Sequence, residues 1–459
     1  MNDGTFKIIL SSCSGEKKMS KLISSSSSNA FCTCYFKNYF LQMLLYISIY
    51  LLSNIPNSNG FDPIIQLPSS GLYENNFSRS KVVLNIDDFG ANGDGITDNT
   101  KIMQNVWKVA CSIPSTVKIV IPKGKSYLVK PIDFPGPCES NVTLRISGTV
   151  VAPRDPEVWN GSNVHKWLYF HGVKHLTVDG GGIIDGKGQI WWARSCKINE
   201  SNPCTHAPTA ITFHKCNNLK VRDITLVNSQ QMHVAFTNCV HVAVSGVRVT
   251  APADSPNTDG VHISASTHFE LKDAIIGTGD DCISIVGNSS RVRIKNIVCG
   301  PGHGISIGSL GKSNSSAAVR DVVVDGAVLT NTENGVRIKT WQGGSGFARK
   351  ITFQNIQMHN VSNPIIIDQY YCDSPIPCLN QTSAVIIDSV SFRNIKGTSA
   401  TEDAIVLSCS ESHPCKKIYL ENIQLVSFSE MIIAQSFCWE VYGTSSGSIC
   451  PPSCISSVL

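Results

Sequence analysis

The amino-acid sequence predicts an all-β protein that folds as a right-handed single-stranded parallel β-helix. Two observations predict this architecture. An apolar pattern recurs at intervals of 23 to 39 residues, and within each copy apolar and polar residues alternate. Alternation with a period of two indicates half-buried strands. A repeat of this length without helical stretches is typical of a solenoid whose coils each hold three short strands and stack on their neighbours.

Each copy of the repeat has three apolar positions: a reference residue, a residue two positions earlier and a residue three positions later. The reference residues are Val221, Val244, Leu271, Ile294, Val324, Phe353, Phe392 and Leu420. An upstream copy consists of Leu176, Val178 and Ile183 around Gly180–Gly182. An antiparallel sandwich also has many short strands, but the regular hairpin turns that it requires are scarce in this sequence.

The composition favours a large folded core and gives no sign of a nucleic-acid partner. Hydrophobic residues make up 42% of the chain and charged residues 16%, which argues against disorder. The formal net charge is +4, and residues 1–60 contribute five Lys against two acidic residues. The rest of the chain is therefore close to neutral, and no block of Lys or Arg indicates nucleic-acid binding.

The N-terminal part of the sequence differs from the repeats, and we expect three regions. These are an N-terminal extension with a signal peptide or anchor at 1–60, a linker at 61–81 and a β-helix domain at 82–459. Tyr39 to Leu52 is an apolar run that small and polar residues end, as in a signal peptide. It is too short for a confident membrane span, so no stable membrane partner is expected. A signal anchor, or a true start at Met43, is the alternative.

Cysteines and glycosylation sequons indicate an extracellular protein. Fifteen of the eighteen cysteines follow residue 60, and this odd number predicts at least one free thiol. Three pairs suit short-loop disulfides: Cys196/Cys204, Cys372/Cys378 and Cys409/Cys415. No pair of cysteines with matching His spacing indicates zinc. Asn-x-Ser/Thr occurs at Asn76, Asn141, Asn160, Asn199, Asn288, Asn314, Asn360 and Asn380, which favours the secretory route.

Several acidic and basic side chains fall on consecutive coils of the predicted solenoid. Asp280 is nine residues after Leu271, and His303 is nine residues after Ile294. These equal offsets predict that Asp280 and His303 lie side by side, because neighbouring strands are about 4.8 Å apart. Asp259 lies on a long loop in the preceding coil. We therefore expect these three side chains on one face of the solenoid.

A basic pair follows in the next coil. Arg337 and Lys339 are two residues apart on a predicted strand and point to the same face, with Val336 and Ile338 turned the other way. Taken singly, each motif has an ordinary interpretation. An Asp-Asp pair is usually a solvated turn or a calcium loop, a histidine between glycines fits a tight turn, and Arg and Lys commonly form a solvated strand face. Their occurrence together on consecutive coils favours a functional site.

The chemistry of the group suits the cleavage of an acidic sugar. Glycoside hydrolysis needs a protonated acid at the leaving oxygen and an ionised carboxylate that activates water or attacks carbon. Packing carboxylates together raises the pKa of one of them, which supplies the proton donor. A guanidinium and an ammonium suit a sugar that carries a carboxylate.

Four segments resemble the signature motifs of polygalacturonases, the pectin-degrading glycoside hydrolases, in that family's order. They are Asn257-Thr-Asp259, Gly279-Asp-Asp281, Gly302-His-Gly304 and Arg337-Ile-Lys339. The resemblance covers roughly Val82 to Cys454. One departure is that some members of the family have Arg-Pro-Thr where this chain has Ala207-Pro-Thr209.

This resemblance implies hydrolysis of 1,4-α-D-galacturonosyl linkages in homogalacturonan and pectin, with inversion and without a metal or other cofactor. We would then expect a secreted, monomeric enzyme of the cell wall. Asp280 is implied as general acid, Asp259 and Asp281 as the residues that hold and deprotonate water, and His303 as a support for the acid. The implied substrate-binding residues are Arg337, Lys339, Tyr371 and Asn257, and a family disulfide is implied between Cys282 and Cys299. Inversion also implies that Asp280 and either Asp259 or Asp281 stand about 6.5–9.5 Å apart.

Three other functions fit parts of the pattern. A pectate lyase shares the β-helix but cleaves by β-elimination, and Asp280 and Asp281 would then be calcium ligands. A hydrolase of rhamnogalacturonan is a second alternative, although the Arg-Ile-Lys motif fits homogalacturonan better. A wall-binding β-helix without activity is disfavoured, because none of the expected carboxylates is missing.

Overall fold

A computed structural model describes residues 81–374, 376–429 and 433–457. The expected extension at 1–60, and all but the last residue of the expected linker at 61–81, lie outside the described residues. The described chain is a right-handed parallel β-helix, in which all the strand pairings are parallel. The fold class predicted from the repeat is confirmed, and its hand is the usual one for parallel crossovers.

The described residues form thirty strands, two α-helices and three short 3-10 helices. The strands are β1 (Val82–Asn85), β2 (Asp94–Asp98), β3 (Thr116–Ile121), β4 (Ser126–Leu128), β5 (Ile132–Pro135), β6 (Asn141–Ile146), β7 (Thr149–Val151), β8 (Lys166–His171), β9 (Thr177–Asp179), β10 (Ile183–Asp185), β11 (Thr209–His214), β12 (Asn217–Arg222), β13 (Thr225–Val227), β14 (Val234–Thr237), β15 (Val240–Ser245), β16 (Arg248–Thr250), β17 (Val261–Ser264), β18 (Thr267–Gly277), β19 (Ile283–Ile285), β20 (Ser290–Cys299), β21 (Ile305–Leu310), β22 (Ser316–Thr330), β23 (Asn334–Thr340), β24 (Ser345–Val361), β25 (Asn363–Asp368), β26 (Ile386–Ser399), β27 (Asp403–Ser408), β28 (Cys415–Ser427), β29 (Gln435–Trp439) and β30 (Val441–Cys450).

The helices lie outside the repeats or in the connections between them. The α-helices are α1 (Thr100–Ser112) and α2 (Gln189–Ala193), and the 3-10 helices are Ile86–Phe89, Pro156–Trp159 and Lys312–Asn314. Four apolar side chains of α1 are buried, so this helix covers the N-terminal end of the apolar interior. No helix in the described part of the chain is long and apolar enough to cross a membrane.

The strands form two sheets that run along the axis of the solenoid. Eleven described strands, from β5 to β29, form one continuous ladder, which we call the front sheet. The other nineteen form the second sheet, which begins as two separate ladders. These ladders merge at β18, which pairs with both β15 and β16. Each coil therefore contributes three strand segments, and each segment pairs with the equivalent segment one coil later.

The register of the repeat is confirmed over the eight coils in which it was predicted. The reference residues from Val221 to Leu420 pair directly with one another along the second sheet. None of them is more than 4% exposed. In the upstream copy the third position is wrong by one residue, because Ile183 pairs with Thr225, the residue after the third-position Ile224, and is 38% exposed. The glycine turn at Gly180–Gly182 adds the extra residue there.

A single residue in each coil bends the second sheet between its two ladders. It lies two positions after the reference residue and has φ between 52° and 80° in all eight coils. These residues are Asp223, Gly246, Asp273, Asn296, Gly326, Asn355, Asn394 and Asn422. Glycine, asparagine and aspartate tolerate this left-handed conformation better than other residues. The predicted turn after the reference position is thus a one-residue bend.

Core residues at the reference positions should dominate stability. Replacing Leu271 with alanine removes a fully buried side chain and should lower the free energy of unfolding by about 2–5 kcal/mol. Ile275→Ala on the same strand is a matched control, because Ile275 is 42% exposed and should cost less than about 1 kcal/mol. Urea unfolding measures both. Equal losses for the two variants would contradict the assignment of Leu271 to the core.

Disulfides tie several coils and loops together, as the cysteine content predicted. The described bonds are Cys111–Cys138, Cys196–Cys204, Cys282–Cys299, Cys372–Cys378, Cys409–Cys415 and Cys438–Cys454. They include the three short-loop pairs and the Cys282–Cys299 bond that the family resemblance implied. Cys216 and Cys239 are buried free thiols, so the expectation of at least one free thiol is confirmed.

Candidate active site

The candidate residues lie where the chain passes from the second sheet into the front sheet. Asp259, Asp281 and His303 each precede a front-sheet strand by two residues. Those strands are β17, β19 and β21, and Val261, Ile283 and Ile305 are in register. Three consecutive coils therefore present these polar side chains at one level, because the apolar residues that follow are fixed in the core.

Asp280 and His303 are neighbours, although the register predicted for them is wrong by one residue. The connection from Cys299 to Ile305 is one residue shorter than the connection from Ile276 to Ile283, so His303 is level with Asp281. The predicted contact is still confirmed, because Nδ1 of His303 lies 3.1 Å from Oδ1 of Asp280.

Asp281 is the most buried carboxylate of the group, and two cations neutralise it. Its side chain is 2% exposed. Nη2 of Arg337 donates to Oδ1 at 2.8 Å, and Nζ of Lys339 donates to Oδ2 at 2.9 Å. Ser306 donates to Oδ1 at 2.7 Å and accepts from Nε of Arg337 at 3.1 Å. A buried carboxylate with this set of donors is held in one orientation.

Arg337 and Lys339 reach Asp281 from β23, as the spacing of the two residues predicted. Val336 and Ile338 are fully buried in the core. The cationic side chains therefore stand on the outer face of the front sheet, two coils beyond Asp281. The ring of Tyr371 lies beside them, with Nζ of Lys339 5.2 Å from its centroid. This places the predicted substrate-binding tyrosine at the edge of the cluster.

Asp259 is buried, and no Arg or Lys of the described residues is paired with it. Ser284 donates to its Oδ2 at 2.7 Å, and Nδ1 of His262 lies 2.8 Å from the same Ser284 oxygen. Because the hydrogen of Ser284 points at Asp259, His262 is the donor to Ser284. Burial raises the pKa of the Asp259 carboxyl, and the nearby charge of Asp280 raises it further. Asp259 therefore keeps a proton to higher pH than an ordinary aspartate does.

Asp280 is the most exposed of the three carboxyl groups, at 17% of its side chain against 11% for Asp259. The backbone N–H of Asp281 donates to its Oδ1 at 2.7 Å, and Nδ2 of Asn257 lies 3.4 Å from its Oδ2. Burial by itself would raise the pKa of Asp280. The hydrogen bond and charge of His303 and the charge of Lys339 outweigh burial and lower it.

His303 lies between two carboxylates. Its Nδ1 faces Asp280, and its Nε2 lies 3.2 Å from Oε2 of Glu333. Burial would lower the pKa of His303, but the hydrogen bond and charge of Asp280 and the charge of Glu333 raise it above the ordinary value. The imidazole thus holds a proton in contact with Asp280 at mildly acidic pH.

The family model for glycosyl hydrolases family 28 matches residues 111–444, which include the whole cluster. The chain belongs to this family. Glycosidic hydrolysis is therefore its chemistry, and such chemistry requires carboxyl groups like those that Asp259, Asp280 and Asp281 bring together.

Relatives of this family 28 hydrolase have high identity over most of the chain. A protein named probable polygalacturonase from Arabidopsis thaliana is 54% identical over 414 residues, covering 90% of this chain and 93% of the relative. A polygalacturonase from Persea americana is 52% identical, covering 75% and 74%. The polygalacturonase structure from Erwinia carotovora superposes with a TM-score of 0.65 at 20% identity, covering 83% and 100%. This structural likeness supports the β-helix fold.

One group in the candidate site has the residue types of a metal site. Asp280, Asp281 and His303 each offer a ligand atom within 4.8 Å of the others. Both oxygens of Asp281 already accept from cationic side chains at 2.8 and 2.9 Å. A calcium ion would face repulsion from both cations and would need six to eight oxygen ligands. The residues present therefore do not fit a calcium site.

The sequence interpretation missed four residues that contact or flank the candidate site. Ser284 and Ser306 lie in register with Arg337 on the outer face of the front sheet, and Glu333 contacts His303. His233 is fully buried, and its Nδ1 lies 3.1 Å from the backbone oxygen of Asp259. The two serines are recoverable from the repeat once the front-sheet register is known, whereas His233 and Glu333 carry no such signal.

Proposed function

We propose that this chain hydrolyses 1,4-α-D-galacturonosyl linkages in homogalacturonan with inversion, and so modifies the cell wall. The observation that carries the proposal is the buried Asp281 held between Arg337 and Lys339, with Asp280 and Asp259 beside it. Two buried cations next to a carboxyl acid/base cluster suit a substrate with a carboxylate on every sugar. The names of the plant relatives support the same substrate.

In this proposal the Asp280–His303 pair supplies the acid. The free site stores the proton on His303, and the more exposed Asp280 faces the space where a glycosidic oxygen can approach. Substrate binding excludes water, and loss of water disfavours an ion pair relative to a neutral pair. The proton then shifts to Asp280 across the 3.1 Å contact, and Asp280 protonates the leaving oxygen.

Asp259 and Asp281 position the attacking water in this proposal, with Asp259 as the base. Asp281 is held by Arg337, Lys339 and Ser306, so it serves better as an acceptor that orients water. One oxygen of Asp281 lies within 4.8 Å of one of Asp280. An inverting enzyme requires a separation of about 6.5–9.5 Å between its acid and its base. The closeness of Asp281 to Asp280 therefore favours Asp259 as the base.

The pH profile of kcat/KM should be bell-shaped, with limbs set by Asp259 and His303. The raised pKa of Asp259 moves the acid limb above that of an ordinary aspartate, because the base must be ionised. The raised pKa of His303 preserves activity to higher pH, because His303 must carry the proton that Asp280 delivers. Glu333→Gln removes one charge that raises the pKa of His303, so its alkaline limb should lie at lower pH. An unchanged alkaline limb in Glu333→Gln would count against His303 as the proton store.

The reaction class is tested with polygalacturonate in the presence of EDTA. We expect steady release of reducing ends, equal with and without the chelator, and no product that absorbs in the ultraviolet. A calcium-dependent lyase would instead lose activity in EDTA and would form unsaturated products when calcium is present. That result would overturn the proposed hydrolysis.

We further propose that the enzyme is secreted, acts as a monomer and works in the cell wall. Twelve described cysteines form disulfides, which suits an oxidising compartment. Six of the seven sequon asparagines in the described residues are exposed, and the exception is the half-buried Asn360. The three-part organisation of 1–60, 61–81 and 82–459 remains part of this proposal. Mass spectrometry of the secreted protein would identify its N-terminus and its glycans.

A further inference from the structure

A groove edged by charged side chains lies on the second sheet, away from the carboxylate cluster. It has a volume of about 770 Å³ and spans β12, β15, β18 and β20. We call it the basic groove and define it by Lys220, His241, His268, Arg291 and Arg293. In each coil these residues follow the front-sheet strand, whereas the candidate catalytic carboxylates precede it. The basic groove and the active site share no lining residue.

The shape of the groove follows from the register of the strands. Lys220, Ala243, Glu270 and Arg293 are paired in a row across four successive coils. The small Ala243 between longer side chains leaves a depression in this row. Sugar rings can rest on such a floor of strand backbone and Ala243 while side chains at the edges contact their substituents.

One edge of the groove is a ladder of nitrogen-bearing side chains. The rings of His241 and His268 lie 4.7 Å apart, and Nη1 of Arg291 donates to Nε2 of His268 at 2.9 Å. All three residues have φ between 54° and 58°. The fold imposes this left-handed corner on each coil, but it does not select these side chains, because Asn218 and Ser389 occupy the same corner in other coils. The backbone conformation alone therefore does not account for a His-His-Arg ladder.

The charge of this face is unbalanced in a domain that is otherwise near neutral. Lys272 and Lys295 extend the face, since they are paired with each other two residues beyond Glu270 and Arg293. Among the described residues, no carboxylate lies within 4.0 Å of the cation of Lys220, Lys272, Arg291, Arg293 or Lys295. Glu270 and Asp321 also line the groove, so it contains both signs of charge, and the cations outnumber the carboxylates. Unpaired cations at this density attract a polyanion.

We propose that the basic groove binds a second stretch of an anionic, carboxylate-bearing polysaccharide outside the active site. This inference rests on the proposed function, which makes galacturonan the polyanion that the enzyme meets. A chain held at the groove keeps the enzyme on its polymer while the active site releases and rebinds. The groove would therefore matter for long or wall-bound galacturonan and not for fragments that fill only the active site.

The test compares a groove variant with a control of equal charge. The groove variant is Lys220→Gln/Arg291→Gln/Arg293→Gln. The control, Lys101→Gln/Lys108→Gln/Lys123→Gln, removes three exposed lysines from and near α1. A double variant, Lys220→Gln/Arg291→Gln, keeps the hydrogen bond from Arg293 to the backbone oxygen of Asp321 and guards against misfolding. Each protein is assayed on tetragalacturonate and on wall-bound, de-esterified pectin.

For the groove variants we expect unchanged kcat/KM on tetragalacturonate. On wall-bound pectin we expect KM to rise roughly tenfold for the triple variant, as the loss of three exposed cation–carboxylate contacts implies. The control should match wild type on both. Equal losses on both substrates, or no loss on either, would overturn the inference. Absence of tetragalacturonate hydrolysis by wild type would instead reject the proposed function.

Binding by the inactive Asp280→Asn protein provides the second measurement. Affinity electrophoresis in gels containing polygalacturonate should show the groove substitutions weakening retardation, with little retardation in gels of fully methyl-esterified pectin. If heparin retards wild type as strongly as polygalacturonate does, and the groove substitutions abolish both, the groove is a non-selective cation exchanger. That outcome would also overturn the proposal.

Discussion

Asp280→Asn should lower kcat on polygalacturonate by about 10²–10⁴-fold, the usual contribution of a general acid, with little change in KM. Asparagine has the same shape, and its side-chain oxygen can still accept from the backbone N–H of Asp281. It cannot carry the proton that His303 stores at 3.1 Å. The loss should therefore fall on the chemical step, and initial-rate measurements of reducing ends separate kcat from KM.

The matched control for this change is Asp273→Asn. Asp273 is an exposed aspartate at the bend of β18, and its replacement by asparagine suits the left-handed conformation there. It should turn over at the wild-type rate, and both variants should keep the wild-type urea midpoint. Near-normal turnover by Asp280→Asn would remove Asp280 from the role of acid.

Lys339→Met should lower kcat/KM on polygalacturonate at least about tenfold more than on highly methyl-esterified pectin. Methionine fills a similar volume but removes the ammonium. Lys339 is only 7% exposed, and its Nζ lies 2.9 Å from Asp281. A charge-assisted hydrogen bond to a substrate carboxylate contributes about 1.5–3 kcal/mol, or roughly 10- to 150-fold. Esterification removes that charge from the substrate, so the substitution should lower kcat/KM less on esterified pectin.

The loss of Lys339 should have a second effect, because Lys339 also holds Asp281. Asp281 keeps only Arg337 as a cationic partner in this variant, which weakens the hold on the water-orienting carboxylate for either substrate. A moderate fall in kcat should therefore be common to both substrates, with the excess loss confined to polygalacturonate. Lys416→Met removes an exposed lysine from β28 and is the control. Equal losses of kcat/KM on both substrates would contradict a role of Lys339 in binding the carboxylate.

Much of the fold was predictable because each coil buries residues in the same pattern. Val221, Leu271 and Phe353 belong to one column because a half-buried strand admits apolar side chains only on alternate positions. The bend two residues later was also encoded, since Asp, Asn or Gly occupies that position in every coil. The error at Ile183 arose in a glycine turn, where no buried residue fixes the number of residues between the two strands.

The candidate site was predictable in its location more than in its electrostatics. Offsets along the repeat brought Asp280 and His303 together, even though a connection shorter by one residue changed their register. The sequence did not predict which carboxyl group pairs with the cations. The structure gives both Arg337 and Lys339 to Asp281. Asp259, buried without either cation, then has the raised pKa.

The stereochemistry of the first product tests inverting hydrolysis by this cluster most directly. Proton NMR of a fresh digest of oligogalacturonide resolves the anomers at the new reducing end before mutarotation mixes them. Because the linkage is α, we expect the β-anomer to form first and the α-anomer to appear later. Initial formation of the α-anomer would mean retention and a carboxylate nucleophile, and signals of an unsaturated sugar would mean elimination. Either result would contradict water activated by Asp259 and a leaving group protonated by Asp280.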